Sequence, residues 1–214
     1  MKENGFEYID LGLPSKTMWA TCNVGADNPE DSGLLFQFGR VDGYRCDDKN
    51  NKFRTNKQNK QDTYSEEMPV TSSGKVYTYG EILDLADDAA HVHMGGKWRM
   101  PTGRYNESGY GYGGDWGELL NNTSHNVVTI NRVKGIMFTS YINGNQLFIP
   151  FMQGYWWNEN WEDWNGFYGG VWSSQVYGSY DKCAYVFYHH SHNSAYVGCF
   201  YRSNAFSVRG VFKK

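Results

Sequence analysis

The segment VVTINRVKGIMFTSYINGNQLFIPF, residues 127–151, marks the point where the chain turns from helical to extended patterning. It holds three apolar runs separated by polar turn segments, which predicts three strands. Asn143-Gly144 stands between the last two runs and predicts a two-residue type I′ hairpin turn. Short alternating runs, broken by Gly, Ser and Asn, continue from residue 154 onward. The C-terminal half is therefore predicted to be rich in strands and loops.

Upstream of this segment the sequence predicts two helices. Thr78 and Glu81 fit a capping box, and the apolar residues of 82–90 recur at helical spacing up to the glycines of "MGG" at 94–96. The stretch "DWGELLNN", residues 115–122, predicts a second short helix that Asp115 caps. Residues 6–40 predict short strands joined by turns. Two helices and a strand-rich half indicate an α+β fold with short antiparallel sheets and long loops.

The 214 residues contain neither an evident linker nor an internal repeat, so we expect a single domain over residues 1–214. Residues 47–67 carry few apolar side chains and mixed charges, which favours a solvated loop. The formal net charge of −3 argues against nucleic acid as a partner. No window has the length or apolarity of a membrane span, and the N-terminus lacks the apolar stretch of a secretory signal. We therefore expect no membrane insertion.

Five separated stretches resemble one family. They are YIDLGLPSKTMWATCNVGA (8–26), DDAAHVHMGGKWRMPT (87–102), FIPFMQGY (148–155), GGVWSS (169–174) and FSVRGV (206–211). Together they resemble the C-type-lectin-like domains of the formylglycine-generating-enzyme branch, especially the subset related to the Fibrobacter major paralogous domain. The resemblance implies a C-type lectin-like fold.

Within that branch, the C-terminal segment is similar to the variable proteins of diversity-generating retroelements, in which AAY codons are rewritten by adenine-directed mutagenesis. The matching framework residues are Trp172, Ser173, Ser174, Ala184, Tyr185, Arg202, Ser207, Val208 and Arg209. Ala205 departs from the pattern, because the family has Gly before Phe-Ser-Val-Arg. The resemblance implies that residues 154–209 bind ligand and are diversified.

The genetic code offers a test of this resemblance. Changes in the first two bases of an AAY codon never yield Lys, Glu, Gln, Met or Trp. Among the 31 residues from Val176 to Phe206, only Lys182 belongs to that group, and 21 are Tyr, Ser, Asn, Asp, His, Cys or Phe. Targeted diversification would leave this composition, although ordinary drift of a Tyr-, Ser- and Asn-rich β surface remains an alternative.

A surface of this composition has the physical properties of an antibody paratope. Tyr provides large contact area with only two torsions to fix, and Ser and Asn provide adaptable hydrogen bonds. We predict that the following residues contact a ligand on one face: Tyr177, Tyr180, Asp181, Tyr188, His190, His192, Asn193, Tyr196, Tyr201 and Asn204. The Trp-rich loop of residues 156–172 either braces the loops beneath this face or adds flat rings for sugar stacking, and Trp157 and Trp161 are its candidates for contact.

Metal and catalytic chemistry are considered and not favoured. His189, His190, His192 and Cys199 could suggest zinc, but no orienting carboxylate is evident and His is a ready product of AAY mutation. The calcium signals of sugar-binding C-type lectins are not found. Cys183 and Cys199 do not match the formylglycine-generating active site residue by residue; a bridge between them is open, with separate free thiols favoured. No P-loop, GxSxG or HExxH motif occurs.

These observations predict a non-catalytic binding protein without a metal or cofactor. Its partner would be a protein or glycan receptor on a cell surface, and its role phage receptor binding or bacterial surface adhesion. The location expected is a phage virion or a bacterial cell surface. Two alternatives remain: a fixed-sequence polysaccharide-binding surface protein that uses the Trp-rich loop, and an enzyme of the formylglycine-generating type.

Overall fold

The computed structural model describes residues 1–45, 69–105, 111–151, 167–190 and 194–214. Within these ranges the fold is α+β, with two α-helices and many antiparallel strands. The strands are β1 (Lys2–Glu3), β2 (Phe6–Asp10), β3 (Thr17–Asn23), β4 (Leu34–Gln37), β5 (Tyr44–Arg45), β6 (Arg104–Tyr105), β7 (Tyr112–Gly113), β8 (Thr123–Ile130), β9 (Val133–Ser140), β10 (Gln146–Pro150), β11 (Phe167–Val176), β12 (Cys183–His190), β13 (Ser194–Tyr201), β14 (Ala205–Ser207) and β15 (Arg209–Lys213). The helices are α1 (Ala89–Met94) and α2 (Gly114–Asn122), and a 3₁₀ turn covers Leu85–Asp87.

The strands form four sheets. The largest has six strands in the order β13-β12-β11-β14-β4-β5, and only its β11–β14 pair is parallel. A second sheet, β1-β2-β3-β15, joins the two ends of the chain. The three apolar runs of residues 127–151 form the meander β8-β9-β10, as predicted, and β6 and β7 form a short hairpin. The short strands predicted for residues 6–40 likewise form.

The six-stranded sheet is covered on both faces, because successive side chains of a strand point to opposite sides. Trp172 of β11, Phe206 of β14 and Phe36 of β4 enter one hydrophobic core. Their neighbours Val171 and Ala205 enter a second core around Trp116 and Phe138. The sheet is therefore the central layer, and the hairpin of β12 and β13 forms one of its edges.

The hairpin turn between β9 and β10 differs from the prediction. Residues 141–145 connect the two strands, and in this loop the Gly144 N–H donates to the Ser140 carbonyl at 3.1 Å. The Ser140 hydroxyl donates to the Leu11 carbonyl, and the Asn143 amide donates to the Asp10 carbonyl. These contacts fix a wider loop than a type I′ turn. The two-residue turn with positive φ lies instead at Asn131 and Arg132, between β8 and β9.

The first predicted helix forms only in its C-terminal part. Thr78 and Glu81 do make the side-chain contact of a capping box, but the chain turns there and then runs extended. Backbone bonds to β11 replace helical bonds in this segment: Leu83 N–H to Ser174 O at 2.8 Å, and Val176 N–H to Glu81 O at 2.9 Å. The helix α1 begins after Asp88, whose carboxylate accepts the His91 N–H, and ends at Gly95 with φ +65°.

The second helix forms as α2, but Asp115 lies inside its first turn and does not cap it. The buried carboxylate receives two bonds from the Arg99 guanidinium, at 2.7 and 3.0 Å. It also accepts from the backbone N–H and the hydroxyl of Thr102. Burial alone would raise the pKa of Asp115, but the bonds and charge of Arg99 outweigh it and hold the pKa below its ordinary value. Asp115 thus ties α2 to the segment that contains Arg99 and Thr102, between the two helices.

Candidate functional site

The predicted contact residues on the β12–β13 hairpin do not share one face. Residues of β12 and β13 pair antiparallel in register, with Tyr188 opposite Tyr196 and Cys183 opposite Tyr201. Because 188 and 183 differ in parity along the strand, these two pairs lie on opposite faces of the sheet. The expectation of a single face is therefore wrong for this hairpin. The structure forms two separate groups of tyrosines.

The first group lies around the end of β11, the start of β12 and the end of β13, and we call it the tyrosine end. Its members are Tyr177, Tyr180, Asp181, Cys183, Cys199 and Tyr201, and they adjoin the framework residue Tyr185. Tyr177 packs edge-on against Tyr185 with ring centroids 5.2 Å apart, and Tyr180 packs edge-on against Tyr201 at 6.2 Å. Tyr180 is 37% exposed, whereas Tyr185 is buried. Side-chain exposure therefore increases from the buried Tyr185 to the accessible Tyr180.

Two thiols occupy the middle of the tyrosine end. Cys183 lies opposite Tyr201, and Cys199 lies opposite Tyr185, so the two cysteines are diagonal neighbours on one face. Both are free thiols. The neighbouring Cys199 and burial raise the pKa of Cys183, whereas Cys183 lowers the pKa of Cys199.

Arg202 anchors the turn that follows β13. Its guanidinium donates to the Tyr77 carbonyl at 2.7 Å and lies over the Phe38 ring at 5.4 Å. Burial lowers the pKa of Arg202, and the negative charge of Asp181 acts in the opposite direction. The Asn204 N–H donates to the Tyr201 carbonyl and closes the turn. Asp181 and Asn204, both half-buried, thus border the tyrosine end beside a fixed cation.

The second group, Tyr188 and Tyr196, lies on the other face of the hairpin. Their rings stack with centroids 5.5 Å apart, and Tyr188 also packs edge-on against Phe200. Gly198 is required here, because a Cβ at that position would come within 2.4 Å of the Tyr188 ring. Burial raises the pKa of Tyr188, and the hydroxyls of Tyr112 and Tyr196 raise it further. This group closes the edge of one core and is less accessible than Tyr180.

The remaining predicted contacts fall where the structure gives no side-chain account. His192, Asn193, Trp157 and Trp161 lie outside the described residues, and for His190 only the backbone strand is described. The predicted solvated loop of residues 47–67 also lies outside them. His189 is buried and stacks on Phe151 with centroids 4.7 Å apart, so it serves packing.

The framework residues are buried and held by specific bonds. The Trp172 indole N–H donates to the Phe36 carbonyl at 2.7 Å, and Ser174 pairs with Pro101 through its backbone and its hydroxyl. The Arg209 guanidinium, fully buried, donates to the carbonyls of Ala20 and Phe148. Burial lowers the pKa of Arg209 to about 10. These bonds fix β11 and β14–β15 beneath the hairpin.

Sequence reasoning missed an apolar segment beside the tyrosine end. Ile82 forms a bridge to Gln175 of β11, and the Gln175 amide donates to the Gly80 carbonyl. Ile82 and Leu85, read from the sequence as the inward face of a helix, are 50% and 54% exposed, and Tyr79 is 59% exposed. The sequence did not reveal that these side chains are exposed, because apolar residues at helical spacing can also occur by chance in an extended segment.

Among the described residues, no group of three or more His, Cys, Asp and Glu side chains is arranged to hold a metal ion. In the same ranges, no helix is long and apolar enough to cross a membrane. Comparisons of the chain with protein-family models, with curated proteins and with solved structures give no match. The arguments for function therefore come from the residues and their geometry.

Proposed function

We propose that this protein is a non-catalytic ligand-binding protein with a C-type lectin-like fold, in which the tyrosine end and the turns beside it contact a receptor. The receptor would be a protein or glycan on a cell surface, and the protein would act in phage receptor binding or bacterial surface adhesion. The segment 154–209 would be the diversified part. The α+β architecture, with two helices and a sheet that joins both ends of the chain, is compatible with this fold.

One observation carries the proposal. All the residues assigned to the framework from the sequence are buried: Trp172, Ser173, Ser174, Ala184, Tyr185, Arg202, Ser207, Val208 and Arg209. None of the predicted contact residues whose side chains are described is buried: Tyr177, Tyr180, Asp181, Tyr188, Tyr196, Tyr201 and Asn204. A protein whose surface is rewritten while its core is preserved requires this separation, because core positions tolerate few changes.

The composition of the tyrosine end also supports binding. Tyrosine anchors in a partly desolvated patch commonly contribute about 2 kcal/mol or more each to an interface. Tyr177 and Tyr180 are held by ring contacts with Tyr185 and Tyr201, so little side-chain entropy remains to be lost when a ligand binds.

Binding is tested with fluorescently labelled protein on a panel of intact bacterial cells. Tyr180→Ala and Tyr201→Ala should each weaken binding about tenfold or more, as expected for anchor residues. Tyr141→Ala is the matched control, because Tyr141 is 70% exposed in the β9–β10 loop, far along the chain from the hairpin. Proteinase treatment of the cells abolishes binding if the receptor is a protein, and periodate oxidation abolishes it if the receptor is a glycan. Equal binding by all three variants would contradict the proposal.

Diversification is tested on the folded protein and on its coding sequence. A library randomised at Tyr177, Tyr180, Asp181, Tyr201 and Asn204 should keep cooperative unfolding in most members. A matched library at Ser173, Ser174, Ala184, Ser207 and Val208 should lose it. The coding sequence should carry AAY-derived codons beside a near-identical template repeat and a reverse transcriptase gene. Similar tolerance in the two libraries would remove the structural support for diversification.

A further inference from the structure

We propose that Cys183 and Cys199 form a reversible disulfide when the protein meets a hydroperoxide, so that the tyrosine end exists in an open dithiol state and a bridged state. The inference concerns the thiol pair alone and does not depend on ligand binding. It starts from the pairing of β12 with β13, which places the two cysteines on one face of the hairpin as diagonal neighbours.

The strand register brings the two thiols to the same side of the hairpin. Cys183 lies opposite Tyr201 and Cys199 lies opposite Tyr185, so no side chain has to cross the sheet before the sulfurs can approach each other. The third described cysteine, Cys22, lies on β3 in another sheet. Within the described residues, the pair 183/199 is therefore the one whose thiols lie on the same face of two adjacent strands.

The environments of the two thiols give them different roles. Cys199 is half-exposed, so a peroxide in solution can reach it, and its lowered pKa favours the attacking thiolate. Cys183 is buried, so a peroxide reaches it less readily and it stays a thiol until its partner has been oxidised. An accessible low-pKa thiol beside a second thiol is the usual arrangement of an attacking and a resolving cysteine.

The reaction consumes one hydroperoxide and balances as follows. The Cys199 thiolate sulfur attacks one peroxide oxygen, the O–O bond breaks, and the departing oxygen takes up a proton, which gives water from hydrogen peroxide. Cys199 is then a sulfenic acid. The Cys183 thiol loses its proton, its sulfur attacks the Cys199 sulfur, and the S–O bond breaks to release water. The two thiols are oxidised by two electrons, and the peroxide is reduced by two.

Sheet geometry makes the bridge a labile one. Diagonal residues of an antiparallel pair have Cα atoms roughly 7–8 Å apart. Disulfides usually join Cα atoms about 4.4–6.8 Å apart, so closure draws the strands together. Strained disulfides are the easily reduced ones, as a reversible switch requires. Tyr201 lies directly opposite Cys183 and Tyr185 lies directly opposite Cys199, so closure also changes the distance between these two tyrosines. The Tyr177 ring packs against Tyr185 and the Tyr180 ring packs against Tyr201, so both rings are expected to shift.

The experiment uses the full chain without any ligand. The protein is reduced, treated with hydrogen peroxide in slight excess, alkylated with iodoacetamide and mapped by mass spectrometry. Alkylation should be lost in parallel at Cys183 and Cys199 and kept at Cys22. A cross-linked peptide should join residue 183 to residue 199. Dithiothreitol should restore alkylation at both Cys183 and Cys199. Because no ligand is used, failure of the proposed binding function does not affect this result.

Variants assign the two roles. In Cys183→Ser, peroxide should leave Cys199 as a sulfenic acid that dimedone traps, and in Cys199→Ser no bridge should form. Cys22→Ser is the matched control and should bridge as the parent protein does. If Cys183→Ser does not fold, the half-exposed Cys199→Ser still supplies the comparison. The inference is overturned if both thiols remain alkylatable after peroxide treatment, or if the bridge joins either of them to another cysteine.

Discussion

The framework beneath the β12–β13 hairpin and the tyrosine end at its rim are neighbours, yet different interactions stabilise them. In the framework and in the helix α2 that packs against it, the buried polar groups Arg209 and Asp115 have fixed partners, and aromatic rings are enclosed, as where Phe187 stacks on Trp116 with centroids 4.4 Å apart. At the tyrosine end, half-exposed rings meet edge to face. The difference indicates that one region sets stability while the other is free to vary.

The largest effect should come from the buried ion pair of Asp115 and Arg99, on the helix that packs against the framework. Asp115→Ala removes the partner of the Arg99 guanidinium and leaves a partly buried cation unpaired. We expect the free energy of unfolding to fall by about 3–5 kcal/mol, the usual cost of breaking such a pair. Denaturant unfolding measures it. The control is Asp84→Ala, which removes an exposed ion pair with Lys75 and should leave the midpoint unchanged. Equal effects of the two variants would show that Asp115 does not hold the framework.

A pair of substitutions along one face of β13 locates the boundary between the two regions. Val197 is buried against the second core, whereas Tyr201, four residues on, is half-buried at the rim. Val197→Ala should lower the free energy of unfolding by about 2 kcal/mol through lost burial. Tyr201→Ala should lower it by about 1 kcal/mol or less, the size of one ring contact. If Tyr201→Ala were the more damaging variant, the tyrosine end would belong to the framework.

The smallest effect is a pH dependence in the β8–β10 meander. His125 on β8 is partly buried with its ring tilted against Phe138, and desolvation lowers its pKa. The unfolded chain binds the proton more readily, so this contribution to stability is complete above about pH 6.5 and declines as the pH falls toward the lower folded-state pKa. Unfolding measured at pH 7.5, 6.5 and 5.5 should show this decline, and His125→Gln should reduce the slope. A slope identical in both proteins would assign it to other groups.

The sequence predicted the elements whose signal is local. The three strands of residues 127–151, the helix α2 and the end of α1 at Gly95 follow from apolar periodicity and from glycine, whose physical causes act within a few residues. The separation of buried framework from accessible hairpin residues also agrees with the resemblance. That resemblance, the diversified binding face and the non-catalytic role remain predictions.

The elements that the sequence misassigned are those decided by distant partners. The segment from Thr78 to Leu83 has helical spacing, but its backbone bonds go to β11, about ninety residues away. Asp115 looks like a cap in the sequence, yet its strongest partner is Arg99 on another segment. Local propensity is a weak signal, and a well-formed tertiary hydrogen bond overrides it.

By itself, the sequence determined that this protein is an α+β chain with a strand-rich C-terminal half and a Tyr-, Ser- and Asn-rich segment from 176 to 206. Only the tertiary structure decided that Tyr188 and Tyr196 lie on the face opposite Tyr201, and that Cys183 and Cys199 lie on one face of the β12–β13 hairpin. The physical reason is register. The sequence of one strand determines which of its side chains share a face, but the pairing of two strands determines which side chains of one strand lie opposite those of the other.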